Sequence, residues 1–451
     1  METLENALGY VSGIAWGPPM LVLLFGTHLF LTFRLGFIQR YLGKAIKLSF
    51  SRGHDAEGDI SHFGALTTAL AATIGTGNIV GVATAVAAGG PGALLWMWLT
   101  GVFGISTKYA EALLAVKYRV TTPAGMIAGG PMYVLERGLK CKWLGVLFAL
   151  FTAIAAFGIG NMVQANAMAT QMQARLGVPP WVTGVVLATL TALVILGGIK
   201  SIAKVCTKLV PFMAAAYILG CIVLLVMNAA TIPATVALIL KSAFTGHAAV
   251  GGFLGAGMRQ AVRFGIARGL FSNESGLGSA PIVAAAARTP NPVRQALISA
   301  TGTFWDTVVV CALTGLVLVN SGVWSDGEAE GAALASRAFD ALPIVGPNLL
   351  TFGLLTFVFS TILGWSYYGE KAVEYLMGSR AILPYRLLWV GSVMVGAVST
   401  IGVVWSFADI ANAFMAIPNL IALIALSGVI VAETRKHLWD DPAALDQPAE
   451  K

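Results

Sequence analysis

Charge is what this chain has least of. Lys, Arg, Asp and Glu make up 11% of its 451 residues, where soluble domains carry about 25%. That scarcity excludes an ordinary soluble fold. Cysteine is rare too: Cys141, Cys206, Cys221 and Cys311 are scattered with no CxxC pair. They read as packing thiols and offer neither a thiolate metal site nor a disulfide framework. Of the histidines, His54, His62, His247 and His437 fall in loops or at span edges. His28 lies inside the first span without an acidic partner, and no Cys/His/Asp/Glu cluster exists to hold a metal. Enzyme signatures are missing: there is no HExxH, no GxSxG and no Walker A run. Ser201-Ile202-Ala203-Lys204 matches SxxK, but on a short basic loop, where chance explains it. No basic region precedes an apolar core in residues 1–10, so no cleavable signal peptide is evident. The chain reads as no enzyme, with no organic cofactor.

What it has is apolar sequence. It is 57% hydrophobic, with a mean hydropathy of +0.80. This composition predicts an all-α polytopic membrane protein of about eleven spans: 16–36, 63–88, 93–117, 143–173, 180–199, 207–227, 250–272, 295–320, 347–377, 384–402 and 408–432. An amphipathic connector, 37–62, carries Arg40, Lys44, Lys47 and Arg52 and is expected along the cytosolic surface. The net charge of +7 reads as loop bias, with no call for nucleic acid. Putting the N-terminus outside and the C-terminus in the cytoplasm places 22 of the 28 Lys and Arg in the inner loops. The outer loops keep Arg175, Lys241 and Arg337, and the longest of them carries Asp326, Glu328 and Glu330. Such an excess of cations inside is the expected orientation signal.

Four segments follow: an N-terminal helix with its connector (1–62), a first repeat (63–227), a second repeat (228–432) and a cytosolic tail (433–451). Each repeat has five spans, an odd number, so the second enters the membrane from the opposite face. Each begins with an interrupted helix, which is the pattern of inverted-repeat transporters whose substrate sits at the breaks. The halves show no strong self-similarity, so counting and the interruptions carry this reading.

The first interruption is the most informative stretch. Gly75-Thr76-Gly77-Asn78 stands at the centre of the second span. Gly costs about 1 kcal/mol per helix position, and an unpaired peptide group in hydrocarbon costs several more. A break there is tolerable where freed N–H and C=O groups meet protein, water, substrate or an ion; a kink at a close-packed glycine face is the bland alternative. Freed N–H groups and the start of the next half-helix suit a carboxylate, and the carbonyls of Ala71 and Ile74 suit Na⁺. Gln164 stands near Asn161 and Asn166 in the fourth span, as a substrate ligand or as interhelical glue. Ser360 and Thr361 give adjacent hydroxyls, as cation ligands or bonded back to the preceding turn. Asp306 is an intramembrane acid that faces a pathway or pairs with Arg259 or Arg263.

The run Gly75-Thr76-Gly77-Asn78, followed by Gly89-Gly90-Pro91-Gly92-Ala93-Leu94-Leu95-Trp96-Met97-Trp98, resembles the alanine/glycine:cation symporter family, the sodium:alanine symporters. Ser272-Asn273-Glu274-Ser275-Gly276-Leu277-Gly278-Ser279-Ala280-Pro281 and Gly364-Trp365-Ser366-Tyr367-Tyr368-Gly369-Glu370-Lys371 extend the likeness over nearly the whole chain. Leu95 and Gly101 depart from the family signature at packing positions. The resemblance implies a LeuT-type five-plus-five fold with one extra N-terminal helix, in a prokaryotic cell (inner) membrane. It implies Na⁺-coupled symport of alanine and glycine. Carried over, Thr76, Gly77 and Asn78 form the carboxylate-facing break, with Gln164 reaching the substrate. Phe264 and Gly265 resemble the second break, and Trp365 a wall limiting side-chain size. The fold analogy puts Na⁺ among the carbonyls of Ala71, Ile74 and Phe357 and the hydroxyls of Ser360 and Thr361. The implied partners are an amino acid, sodium and the bilayer; the oligomeric state stays open, a monomer included. The alternative is a same-fold transporter of a larger amino acid or a nucleobase, with H⁺ as a second candidate coupling ion. A channel would need a continuous polar pore, and an intramembrane enzyme paired acids.

Overall fold

The computed structural model describes residues 2–51, 56–244, 257–326, 331–340, 345–399, 402–441 and 445. Arg52, His54, His247, Glu328, Glu330, the start of the seventh expected span (250–256) and tail residues 442–444 and 446–451 lie outside the described residues. Each of the eleven apolar stretches is helical over most of its described length. Among the described residues, seven helices are long and apolar enough to cross a bilayer, eight with one bent pair counted as a span.

The chain starts with α1 (Glu2–Ala15) and α2 (Pro18–Arg34), which Pro18 and Pro19 begin at positions needing no N–H. The connector holds a short helix, α3 (Leu42–Ser49). The broken span is α4 (His62–Thr73), capped by Ser61 Oγ accepting from the Gly64 N–H at 3.0 Å, and α5 (Val80–Gly89). Then come α6 (Ala93–Lys117), α7 (Lys142–Leu176), α8 (Pro180–Ile195), α9 (Gly198–Met227) and α10 (Ile232–Phe244). Helix α9 begins at Gly198, so Ser201 and Lys204 are helical, and the basic loop expected there is the first turn of a long span. The second half holds α11 (Met258–Asn273), α12 (Pro292–Asn320), α13 (Gly331–Phe339), α14 (Val345–Met377), α15 (Ile382–Val398) and α16 (Gly402–Ala425).

Small residues let these helices close on one another. A Cβ at Gly364 of α14 would lie 2.7 Å from Ala72 Cβ of α4. One at Gly269 of α11 would lie 2.8 Å from Thr100 Oγ1 of α6. Of the long helices named above, α7 carries a π turn at Gly158–Met162 and α12 one at Phe304–Cys311; such turns often mark functional positions.

A staple joins the two halves away from the break. Asp59 N–H donates to Ala286 O at 2.8 Å, and Arg288 N–H to Ile60 O at 2.8 Å, forming a parallel bridge between Ile60 and Ala287. Arg119 reaches Ala285 O, Ala287 O and Glu57 O at 3.1, 2.9 and 2.9 Å. Asp59 Oδ2 accepts the Ile127 N–H at 2.9 Å, from the two-residue ribbon of Val120–Thr121 and Ile127–Ala128. Burial pushes the Asp59 carboxyl above its ordinary pKa, and the Ile127 N–H partly offsets this.

Candidate functional site

Helix α4 stops at Thr73 because Ile74 turns extended (ψ 94°) and Gly75 continues extended (φ −144°, ψ −151°). One 3₁₀ turn, Thr76–Asn78, leads into α5, and the two halves meet at a 60° bend. The Gly75 N–H, which would have closed the helical bond to Ala71 O, donates to Asn78 Oδ1 at 2.8 Å instead. Ala71 O and Ile74 O are thereby left to a side chain of α14: Thr361 Oγ1 lies 3.1 Å from the first and 3.2 Å from the second. Three oxygens share one proton there. A hydroxyl donates to one carbonyl at a time, so one oxygen pair always faces without a hydrogen. A cation placed among them removes that repulsion. This donor set, uncharged hard oxygens at an unwound helix end, fits Na⁺. Ser360 Oγ donates to Phe357 O at 2.9 Å, the back-bonded arrangement, and its lone pairs stay open.

The N–H side of the break faces α7. Thr76 N–H donates to Gln164 Oε1 at 3.3 Å, a long bond, while Gln164 Nε2 donates to Ile159 O in the π turn at 3.0 Å. Thr76 Oγ1 is buried with no hydrogen-bond partner among the described residues. Gly75 must be Gly: a Cβ would lie 2.5 Å from Thr361 Oγ1 and 3.3 Å from Gln164 Oε1. Trp365, one turn beyond Thr361, is buried against Gly160 of the same π turn, where a Cβ would lie 2.2 Å from Trp365 Cβ. So Thr76, Gln164, Trp365 and the Ala71–Ile74–Thr361 oxygens share one region.

Other expected residues go elsewhere. Asn78 spends its side chain on the scaffold: Oδ1 caps Gly75 and Nδ2 donates to Asp306 Oδ1 at 2.7 Å. It braces the break and has no free donor for a substrate. Asp306 is not paired with Arg259 or Arg263; its Oδ2 accepts from Ser272 Oγ at 2.9 Å and Thr307 Oγ1 at 2.7 Å, all neutral donors. Phe264 and Gly265 are not a break. They lie inside the continuous α11, where Gly265 serves close packing, a Cβ there falling 2.3 Å from Ala93 O. The interruption comes after Asn273. Glu274 takes a left-handed conformation (φ 56°), and Gly276 and Gly278 follow at φ 90° and 85°. Phe271 and Ser272 are what this helix brings to the first break; a Cβ on Gly77 would meet Phe271 Cδ1 and Ser272 Cα, each at 3.3 Å.

Of the groups holding the second break, Glu111 and Asn419 are absent from the sequence-based site. Glu111 Oε1 accepts from the N–H groups of Gly276 and Gly278, each at 3.0 Å, and from Asn419 Nδ2 at 2.7 Å. Glu274 Oε1 accepts from Trp365 Nε1 at 2.8 Å, and Ser279 Oγ donates to Oε2. The available signal was Lys108 and Glu111 inside an apolar span, since ionisable residues in such segments are functional by default. On the far side of Phe271 a cavity of about 180 Å³ is lined by Trp16, Arg263, Phe264, Arg268 and Asp409. The Phe271 ring stacks on Trp405 (5.6 Å, 24°), and the Arg268 guanidinium lies 5.6 Å from the centre of the Phe271 ring.

This many-helix architecture, with its second expected span broken at residues 74–79, is the LeuT-type fold. The fold agrees: the structure of MhsT in complex with L-phenylalanine superposes with a TM-score of 0.59 at 14% identity, over 85% of this chain and 94% of that one. A manganese transporter of Eremococcus coleocola gives 0.56 at 13%, over 87% and 86%. The model of the sodium:alanine symporter family matches residues 1–450, and the chain belongs to that family. It is 55% identical to the sodium/alanine symporter AgcS of Methanococcus maripaludis, over 94% of this chain and 95% of that protein. It is 34% identical to the probable sodium/glutamine symporter GlnT of Bacillus subtilis, over 99% and 93%. It is therefore a multi-pass membrane protein that couples amino-acid transport to Na⁺.

Proposed function

We propose that this protein carries alanine and glycine together with Na⁺ by alternating access, with the first break as the site for both. One observation carries the reading: a buried break whose carbonyls crowd Thr361 Oγ1 on one side and whose Thr76 hydroxyl, on the other, lacks a partner among the described residues. Na⁺ enters among Ala71 O, Ile74 O and Thr361 Oγ1, with Phe357 O and Ser360 Oγ next along α14. It fixes α4 to α14 and so orders the turn at Thr76. The substrate carboxylate takes the Thr76 and Gly77 N–H groups and the Thr76 hydroxyl. It displaces the long bond to Gln164, whose Oε1 is then free to accept from the substrate ammonium. Trp365, held by Glu274, walls the pocket, so small side chains fit and large ones clash. Exclusion by clash discriminates more strongly than one missing methylene, worth about 1–3 kcal/mol. Transfer of one charge down 100 mV supplies about 2.3 kcal/mol, and the Na⁺ gradient adds to it.

The test is uptake of labelled alanine into proteoliposomes under an imposed Na⁺ gradient, challenged by a panel of unlabelled amino acids and nucleobases. Glycine and alanine should compete strongly and bulky residues weakly. Uptake indifferent to Na⁺ overturns the coupling, and equal competition by glutamine or a nucleobase overturns the size limit.

A further inference from the structure

Helices α2, α6 and α11 enclose a lateral groove of about 790 Å³ that the transport reading does not use. Its depth is apolar: Leu21, Val22, Phe25 and Leu29 of α2 face Val262 and Ile266 of α11. At the end nearest the start of both helices stand Arg259 and Arg263. Among the described residues neither guanidinium has an ion pair; Arg259 is exposed, and Arg263 lies over its neighbour Phe264 at 5.6 Å. Cations at the mouth of an unfilled apolar slot ask for an amphiphile with an anionic head. The dimensions agree. From Pro18 to Leu29 the helix rises about 16 Å at 1.5 Å per residue, close to one leaflet of a hydrocarbon core about 30 Å thick.

We propose that this groove holds an acyl chain of an anionic phospholipid, with the lipid phosphate on Arg259 and Arg263. Arg263 also lines the 180 Å³ cavity above Phe271, and Gly13 borders both spaces. A bound headgroup therefore fixes one wall of that cavity. Gly26 marks the floor of the slot: a Cβ added there meets nothing within 4 Å.

The full-length protein, reconstituted in vesicles of equal phosphatidylglycerol and phosphatidylcholine, is extracted in mild detergent, and the retained lipid is counted by native mass spectrometry. The wild type should retain phosphatidylglycerol preferentially. R259Q/R263Q should retain it about 30-fold less, the factor for two basic contacts of about 1 kcal/mol each. G26F, which keeps both arginines and fills the slot, should lose it as well. No preference in the wild type, or full retention by the arginine variant, overturns the proposal. Loss in the arginine variant with full retention in G26F means that the arginines bind a phosphate without a seated chain, and this also overturns it. Should the arginine variant not fold, wild type against G26F decides alone.

Discussion

Gly75→Ala tests the cation reading most directly. The new methyl would lie 2.5 Å from Thr361 Oγ1 and 3.4 Å from Thr361 Cβ. Real Cβ atoms do not approach so closely, so the hydroxyl must move. Thr361 is β-branched and stiff about χ1, and an off-rotamer displacement of about 30° costs about 0.5–1.5 kcal/mol. Overpacking a tight interior costs about 1–3 kcal/mol in all. The moved hydroxyl also leaves Ala71 O and Ile74 O, removing one oxygen from the proposed cage. Na⁺ titration of alanine uptake in proteoliposomes should shift to at least about tenfold higher Na⁺, equivalent to about 1.4 kcal/mol. The melting temperature in detergent should fall as well. Adding Thr361→Ala removes the clashing atom, so stability should recover while the Na⁺ response does not. A wild-type Na⁺ titration in Gly75→Ala, or recovery of both properties together in the double variant, would refute the reasoning.

Gln164→Ala removes the acceptor of the Thr76 N–H and the donor to Ile159 O. Alanine binding measured in detergent should weaken about 10-fold or more, as for a lost buried hydrogen bond of about 1–3 kcal/mol, and unchanged affinity returns Gln164 to interhelical glue. Glu274→Ala leaves the buried Trp365 N–H without its acceptor, so the melting temperature should drop and larger amino acids should compete better for uptake, whereas Glu274→Gln, which keeps an acceptor, should stay close to wild type in selectivity. Asp59 has a raised pKa in the folded protein, so its ionisation opposes folding: stability should decline as pH rises from the ordinary carboxylate pKa through the raised one. Asp59→Asn should remove that part of the pH dependence, seen as a flatter difference in melting temperature between the two proteins.

The first break was legible because Gly75, Thr76, Gly77 and Asn78 interrupt an apolar run with residues that serve no spanning helix. The second was misplaced. Gly265 among arginines looks like an interruption, yet its smallness answers the backbone of Ala93, a neighbour that one-dimensional sequence does not reveal. The true interruption, Glu274 to Ala280, was present as a motif, but its meaning depends on Glu111 and Asn419, far away in the chain. The Asn78 side chain bonds to Gly75 and to Asp306, which comes from the π turn of α12, and no spacing rule connects Asn78 with Asp306. The helical stretches were readable because each needs only a long enough apolar run, though the helix expected from 207 starts already at Gly198.

The staple between Ile60 and Ala287 has a mechanical meaning. It yokes the lead-in of the first broken helix to the lead-out of the second, and Arg119 ties the same strands from a third side. A swing of α4 that moves its lead-in must break these hydrogen bonds or carry the 285–288 segment with it. A cation and an amino acid bound at the first break, as proposed, would then pull through these peptide hydrogen bonds on the segment that follows the second helix.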